Sequence, residues 1–125
     1  MTQVKGYLSN EFQGDYKKVL CVCTAGMLRS PTIAHTLSAE PYNFNTRCAG
    51  TNDRLAIVEL TDRLLVWADE VVCADTEHAQ VVTKLLGKLE LDTRVVNLGL
   101  PDIYDYRDPE LVELIKVGYD NANNN

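Results

Sequence analysis

The chain has 125 residues, 46% of them hydrophobic and 24% charged, which supports one globular core and excludes a disordered or collagen-like chain. Lys and Arg total 12 against 18 Asp and Glu, a formal charge of −6, so phosphate backbones and anionic lipid are repelled and neither nucleic acid nor a membrane is the expected partner. No apolar run approaches the roughly 20 residues of a membrane span, and the polar stretch Met1 to Gln13 has no signal-peptide core, so the reading is a cytoplasmic protein.

Residues 1–17 show no hydrophobic period and are expected to form an N-terminal extension outside the core. One domain is predicted over 18–120 and a frayed polar tail over 121–125. Val19-Leu20-Cys21-Val22-Cys23 is short and continuously apolar, the pattern of a strand buried on both faces of a parallel sheet. Ala25-Gly26 breaks that run, and Ser30-Pro31 provides an N-cap and a first helical residue for a helix from about Pro31 to Ser38.

Thr46 to Ala49 reads as a second strand ended by Gly50, and Thr61-Asp62 caps a helix with Leu64, Leu65, Trp67 and Ala68 on one face. Val71 to Ala74 is the third strand and stops at Asp75, after which a helix runs from about Thr76 to Leu86 and ends at Gly87. Arg94 to Leu100 is the fourth apolar run. Pro101 turns the chain into an acidic, aromatic loop, Asp102 to Asp108, and Pro109 starts a last helix with Leu111, Leu114 and Ile115 on its apolar face. Strands alternating with helices imply a three-layer α/β sandwich, a small parallel sheet of about four strands flanked by helices. Such sheets bind ligands at the carboxyl ends of their strands, where Cys23 and Asp75 fall and which Asp102 closely follows.

Cys23-Thr24-Ala25-Gly26-Met27-Leu28-Arg29-Ser30 joins a strand to a helix. Backbone N–H groups of Thr24, Ala25, Gly26, Met27, Leu28 and Arg29 can curl around an anion there, at the positive end of the helix dipole. The same N–H groups and the Arg29 guanidinium would lower the Cys23 thiol from about 8.5 into the ~3.5–7.5 range of activated thiols. Arg29 can grip two phosphoryl oxygens in a planar fork, and Ser30 can donate its hydroxyl to the sulfur. A thiolate attacking phosphorus needs an acid for the departing oxygen; Asp102 is best placed for this, with Asp105 and Asp108 as competing carboxylates. Tyr104 and Tyr106 can wall a cleft for a flat substrate ring.

VLCVCTAGMLRSPTIA, CAGT at Cys48 to Thr51, LLVWADEVVCAD, LPDIYDY and the helix start Asp108-Pro109-Glu110-Leu111 together resemble the low-molecular-weight protein tyrosine phosphatases, in particular their short bacterial branch. The resemblance runs from Lys18 to about Val117 and implies that family's fold. It also implies roles: Cys23 as nucleophile, Arg29 as phosphate ligand, Ser30 as thiolate partner and Asp102 as general acid, with a cysteinyl-phosphate intermediate and no metal or cofactor. The implied partner is a phosphorylated protein bearing phosphotyrosine, or a small phosphate ester; phosphoarginine fits the same chemistry. This chain departs from the pattern at Ala25-Gly26, where the family usually carries Gly-Asn, at Leu28 in place of a second loop cysteine, at His35 in place of an acidic residue, and at Ile103 in place of a proline.

The cysteines Cys21, Cys23, Cys48 and Cys73 include no CxxC pair, which argues against zinc and against a disulfide framework. Cys21, Cys48 and Cys73 read as core residues. His78 reads as a cap or surface group, His35 as structural, Trp67 as core, and Asp75 as a support for the site. Tyr104 can equally pack the acid loop. Two other functions are consistent with the residues: an arsenate reductase, which needs further reachable thiols, and a phosphate- or phosphoprotein-binding module whose catalysis is weakened by a loosened Ala25-Gly26 loop.

Overall fold

The structure, a computed structural model, describes residues 7–8, 16–24, 29–52, 58–101 and 103–123. Its elements in chain order are β1 (Tyr7–Leu8), β2 (Lys18–Cys23), α1 (Arg29–Ser38), β3 (Asn45–Gly50), α2 (Asp62–Trp67), β4 (Glu70–Cys73), α3 (Thr76–Lys88), β5 (Arg94–Asn97) and α4 (Pro109–Asn123). The sheet runs β1-β3-β2-β4-β5; β1 is antiparallel to β3 and the other neighbours are parallel. The expected three-layer α/β sandwich around a four-stranded parallel sheet is therefore present, with one short antiparallel strand added at its edge. No helix among the described residues is long and apolar enough to cross a membrane.

Alternation along β2 builds two cores at once, since successive side chains point to opposite faces. Val19, Cys21 and Cys23 face Ile33, Ala34 and Leu37 of α1 and Leu111, Ile115 and Tyr119 of α4. Leu20 and Val22 face Leu64 and Leu65 of α2 and Val82 and Leu86 of α3. The chain leaves β2 for β3 on one side and then crosses to β4 on the other, so the carboxyl end of β2 lies at the reversal of strand order, where open α/β sheets bind ligands.

Three expectations are corrected and a fourth is refined. Tyr7 and Leu8 lie inside the predicted extension, yet they pair with Arg47 and Thr46, covering part of the otherwise open edge of β3. Residues 121–123 belong to α4 and not to a frayed tail, because Arg94 Nη1 donates to Asn123 Oδ1 at 2.6 Å and Nη2 to the Ala122 carbonyl at 2.7 Å. Gly87 does not end α3, which continues to Lys88; the chain reverses at Glu90, a non-glycine residue at φ 58°. Trp67 packs against the core on the α2/α3 face as expected but is only half-buried, and the Arg47 guanidinium lies 4.0 Å from its ring centroid.

At the amino end of the strands, Glu70 is 2% exposed and its charge is met from three sides. The Tyr119 hydroxyl donates to Oε1 at 2.7 Å, Lys17 Nζ lies 3.5 Å from the same oxygen, and Arg94 Nη1 lies 3.4 Å from Oε2. Lys17 also donates to the Tyr119 hydroxyl at 2.9 Å and sits 4.9 Å from the Phe44 ring centroid. Burial opposes the charge on Lys17, but the Tyr119 hydroxyl and the Glu70 carboxylate outweigh it, and the pKa is raised.

Candidate active site

Cys23 closes β2 and is 3% exposed. Its Sγ lies 3.2 Å from Ser30 Oγ in the first turn of α1; a thiol donates to that hydroxyl, whereas a thiolate accepts from it. Arg29, at the first position of α1, is 5% exposed, and its Nη1 donates to the Leu100 carbonyl at 3.1 Å. The Leu100 N–H in turn donates to the Ala74 carbonyl at 2.7 Å, extending the β4–β5 pairing to where the chain departs for the acid segment. At the other end of that segment the Arg107 N–H donates to Thr32 Oγ1 at 2.9 Å. Helix α1 thus presents Ser30 to the sulfur and grips the acid segment at both ends.

The structure brings Cys23, Arg29, Ser30 and Thr24 to one sheet edge. Thr51 N–H donates to the Cys23 carbonyl and Asn52 N–H to the Thr24 carbonyl, both at 2.9 Å, so the exit of β3 borders the start of the loop. Ala25, Gly26, Met27, Leu28 and Asp102 lie outside the described residues. Of the competing carboxylates, Asp108 is engaged at the start of α4, accepting the Glu110 N–H at 2.9 Å, and Asp105 is exposed. Tyr104 is half-buried against the α1/α4 core, and burial together with neighbouring Glu110 raises its pKa. Tyr106 and Ile103 are exposed on the same segment. Among the described residues no group of His, Cys, Asp and Glu is arranged to hold a metal ion.

The other three cysteines are buried as well. Burial raises Cys21 well above the ordinary thiol value, pushes Cys48 up to about 11 with nearby Cys23 adding to the shift, and pushes Cys73 up to about 12. They therefore stay protonated at neutral pH and pack as small apolar groups. His35 is half-buried beside Arg107, and burial followed by that cation lowers its pKa.

The sequence reading did not include the contact that the first turn of α3 makes with Thr24. Asp75 caps the helix, accepting the Thr76 N–H at 2.7 Å, and its own N–H donates to His78 Nδ1 at 3.1 Å. His78 is a cap as expected but not a surface group: it is fully buried, and its Nε2 lies 2.8 Å from Thr24 Oγ1. Glu77 Oε1 accepts from the same Thr24 hydroxyl at 3.2 Å. The spacing Asp75-x-x-His78 is that of a capping box and was the available signal.

No family model matches the sequence, and no curated protein sequence matches it significantly. Solved structures do match. A YwlE mutant from Bacillus subtilis is 22% identical, with 85% of this chain and 99% of that one covered at a TM-score of 0.61. The low-molecular-weight protein tyrosine phosphatase SP-PTP from Streptococcus pyogenes is 16% identical, with 85% and 90% covered at 0.64. A YwlE arginine phosphatase in a Cys-to-Ser form with a phosphorylated active-site serine is 21% identical, with 82% and 94% covered at 0.59. At such identities the similarity is one of architecture, and it agrees with the strand order and helix placement described above: the chain has the fold of the low-molecular-weight protein tyrosine phosphatases.

Proposed function

We propose that this protein is a metal-independent phosphomonoesterase working through a cysteinyl-phosphate, with phosphotyrosine-like aryl phosphates as its substrate class. The observation behind this reading is the juxtaposition of Cys23 Sγ with Ser30 Oγ at 3.2 Å, beside a buried Arg29, at a β-strand-to-helix junction. The fold similarity supports the same reading. In the first step the Cys23 thiolate attacks phosphorus in line, an S–P bond forms, the ester P–O bond breaks, and Asp102 gives its proton to the departing oxygen. Arg29 and the N–H groups of Thr24 to Arg29 stabilise the equatorial oxygens. In the second step water attacks phosphorus, Asp102 takes its proton, and the S–P bond breaks to return thiolate and phosphate.

Exposed Ile103 and Tyr106 on the acid segment offer an apolar, aromatic rim for an aryl group, and this favours the tyrosine reading. The arsenate reductase alternative needs a relay of reachable thiols, whereas Cys48 and Cys73 lie inside β3 and β4.

The test is a panel of an aryl phosphate, a phosphotyrosyl peptide and phosphoarginine, assayed with wild type, Cys23→Ser and Asp102→Asn. Wild type is expected to turn over the first two, Cys23→Ser to lose about five orders of magnitude or more, and Asp102→Asn to lose about a hundredfold or more in kcat. Turnover that survives Cys23→Ser, or failure of wild type on every substrate, overturns the reading; a wild type that prefers phosphoarginine overturns the tyrosine assignment alone.

A further inference from the structure

The imidazole of His78 is fully buried where α3 meets the candidate nucleophile loop, and both of its nitrogens are engaged. Because the Asp75 N–H is a donor, Nδ1 accepts and the ring proton sits on Nε2. That Nε2–H faces Thr24 Oγ1 at 2.8 Å, with Glu77 Oε1 farther off at 3.2 Å, and with the shorter bond made to Thr24 the Thr24 hydroxyl proton goes to Glu77 Oε1, also at 3.2 Å. Every donor in this chain of bonds then has its acceptor.

Capping α3 requires only the Nδ1 contact, and a Gln or Glu at the same position performs it equally well. The second nitrogen reaches a residue 54 positions away in sequence, the one directly after Cys23. Thr24 is consequently held twice: its carbonyl by the Asn52 N–H at 2.9 Å and its hydroxyl by α3. The stretch from Ala25 to Leu28 that follows contains no side chain with a hydrogen-bonding N or O, so the polar side chains that the loop sequence itself supplies are those of Thr24 before it and Arg29-Ser30 after it. The same turn of α3 also steadies the exit of β5: Asn97 Nδ2 donates to Thr76 Oγ1 at 3.0 Å, and Asn97 Oδ1 accepts the Gly99 N–H at 3.0 Å.

We propose that His78 is a positioning residue for the reaction, acting through Thr24 to fix where the phosphate-cradling loop begins relative to the Cys23 sulfur. The proposal rests on the phosphatase reading. Its energetic logic is that of a supporting contact which keeps N–H donors within the few tenths of an ångström that transition-state stabilisation demands.

Two substitutions isolate the link. His78→Gln retains a side chain that caps Asp75 but cannot reach Thr24 at the same time, and Thr24→Val removes the hydroxyl at nearly constant volume. Each is to be measured for melting temperature, for kcat and KM on an aryl phosphate, and for the pH dependence of Cys23 alkylation by iodoacetamide; the double variant completes the cycle. Each single variant is expected to lower kcat about tenfold with KM changed by less than about threefold, and to move the alkylation midpoint upward. The double variant is expected to be no worse than the weaker single, because both remove the same contact.

Wild-type kcat and an unshifted alkylation profile in Thr24→Val overturn the proposal, and so do losses that multiply in the double variant. A melting temperature that falls with kcat unchanged assigns His78 a purely structural role and also overturns it. If His78→Gln does not fold, Thr24→Val alone decides. If wild type turns over no phosphate ester, the phosphatase reading fails, and the alkylation profile still reports on the His78–Thr24 contact.

Discussion

At the amino end of the sheet, Glu70, Lys17, Arg94 and Tyr119 satisfy one another, whereas at the carboxyl end Cys23, Ser30, Arg29, Thr24 and His78 are strung between loops and helix starts. Both ends bury polar atoms, and both are held by residues far apart in sequence. They differ in which groups meet. Around Glu70 a carboxylate is neutralised by two cations and a phenol of the same chain, so the site closes on itself. Around Cys23, the Ser30 hydroxyl lies 3.2 Å from the sulfur at a strand-to-helix junction, and the buried Arg29 guanidinium, which opens the same helix, donates to the Leu100 carbonyl. On the same central strands, one end closes on itself as an ion-pair cluster and the other holds the residues of the proposed site.

The sharpest way to break that comparison is to ask which thiol reacts. With Cys48 pushed up to about 11, only about one molecule in ten thousand carries its thiolate at pH 7, and Cys73, pushed up to about 12, carries still less. Iodoacetamide at neutral pH is expected to add one equivalent to the folded protein, located at Cys23 by peptide mass spectrometry, with the other three thiols modified only after unfolding. Rapid labelling of Cys48 in the folded protein would contradict the division of roles.

A substitution at the opposite end should move stability and leave turnover alone. Glu70→Ala takes the carboxylate away from Lys17 and Arg94, but both keep other hydrogen-bond partners, and their side chains are 35% and 46% exposed and can return to water. The cost therefore falls below the usual penalty for breaking a buried pair, at about 2–3 kcal/mol, or roughly 10 °C in Tm for a chain of this size. Values of kcat and KM measured well below the new Tm should match wild type; a large loss in kcat would mean that the two ends are coupled. Alkaline titration sharpens the same point. Because the Lys17 pKa is raised on folding, its stabilising share is fully present below the ordinary lysine value of 10.5 and is lost as pH climbs through the higher folded value, so the stability gap between wild type and Glu70→Ala should start to narrow only at strongly alkaline pH.

The two ends were not equally legible in the sequence. The carboxyl end announces itself because its signals are local: a buried apolar run stopping at Cys23, Ser30-Pro31 marking the first turn of a helix that in fact begins one residue earlier at Arg29, Asp75 ending the next strand, Pro101 and Pro109 bounding the acid segment. Glu70 gives no such notice. It stands as one acid ahead of an apolar run, and its partners lie at positions 17, 94 and 119, which only the folded sheet brings together. His78 fails to stand out for a related reason, since capping spacing shows one of its contacts and tertiary packing supplies the other. β1 is missed because two residues are too few to show a period.

The turn after α3 is the remaining case, and it yields the smallest predicted effect. Glycine at 87 invites the reading that the helix stops there, yet the ending sits three residues later: the Leu91 N–H donates to the Leu86 carbonyl at 3.0 Å and the Glu90 N–H to the Gly87 carbonyl at 3.2 Å. That pair of bonds is a Schellman ending, which wants glycine at its left-handed position, and Glu90 occupies that position at φ 58°. Glu90→Gly relieves about 1–2 kcal/mol of left-handed strain and gives back about 0.5–1 kcal/mol by freeing the unfolded chain, a net gain of about 0.5–1 kcal/mol. Gly87→Ala sits in the converse situation, on a helical backbone where an added Cβ meets nothing within 4 Å, and should add about 0.5–1 kcal/mol through helix propensity. Together the two changes are expected to raise Tm by roughly 4–8 °C without altering kcat, because this turn lies at the end of α3 remote from His78. A stabilised double variant with impaired turnover would show that α3 transmits strain from one end of the sheet to the other.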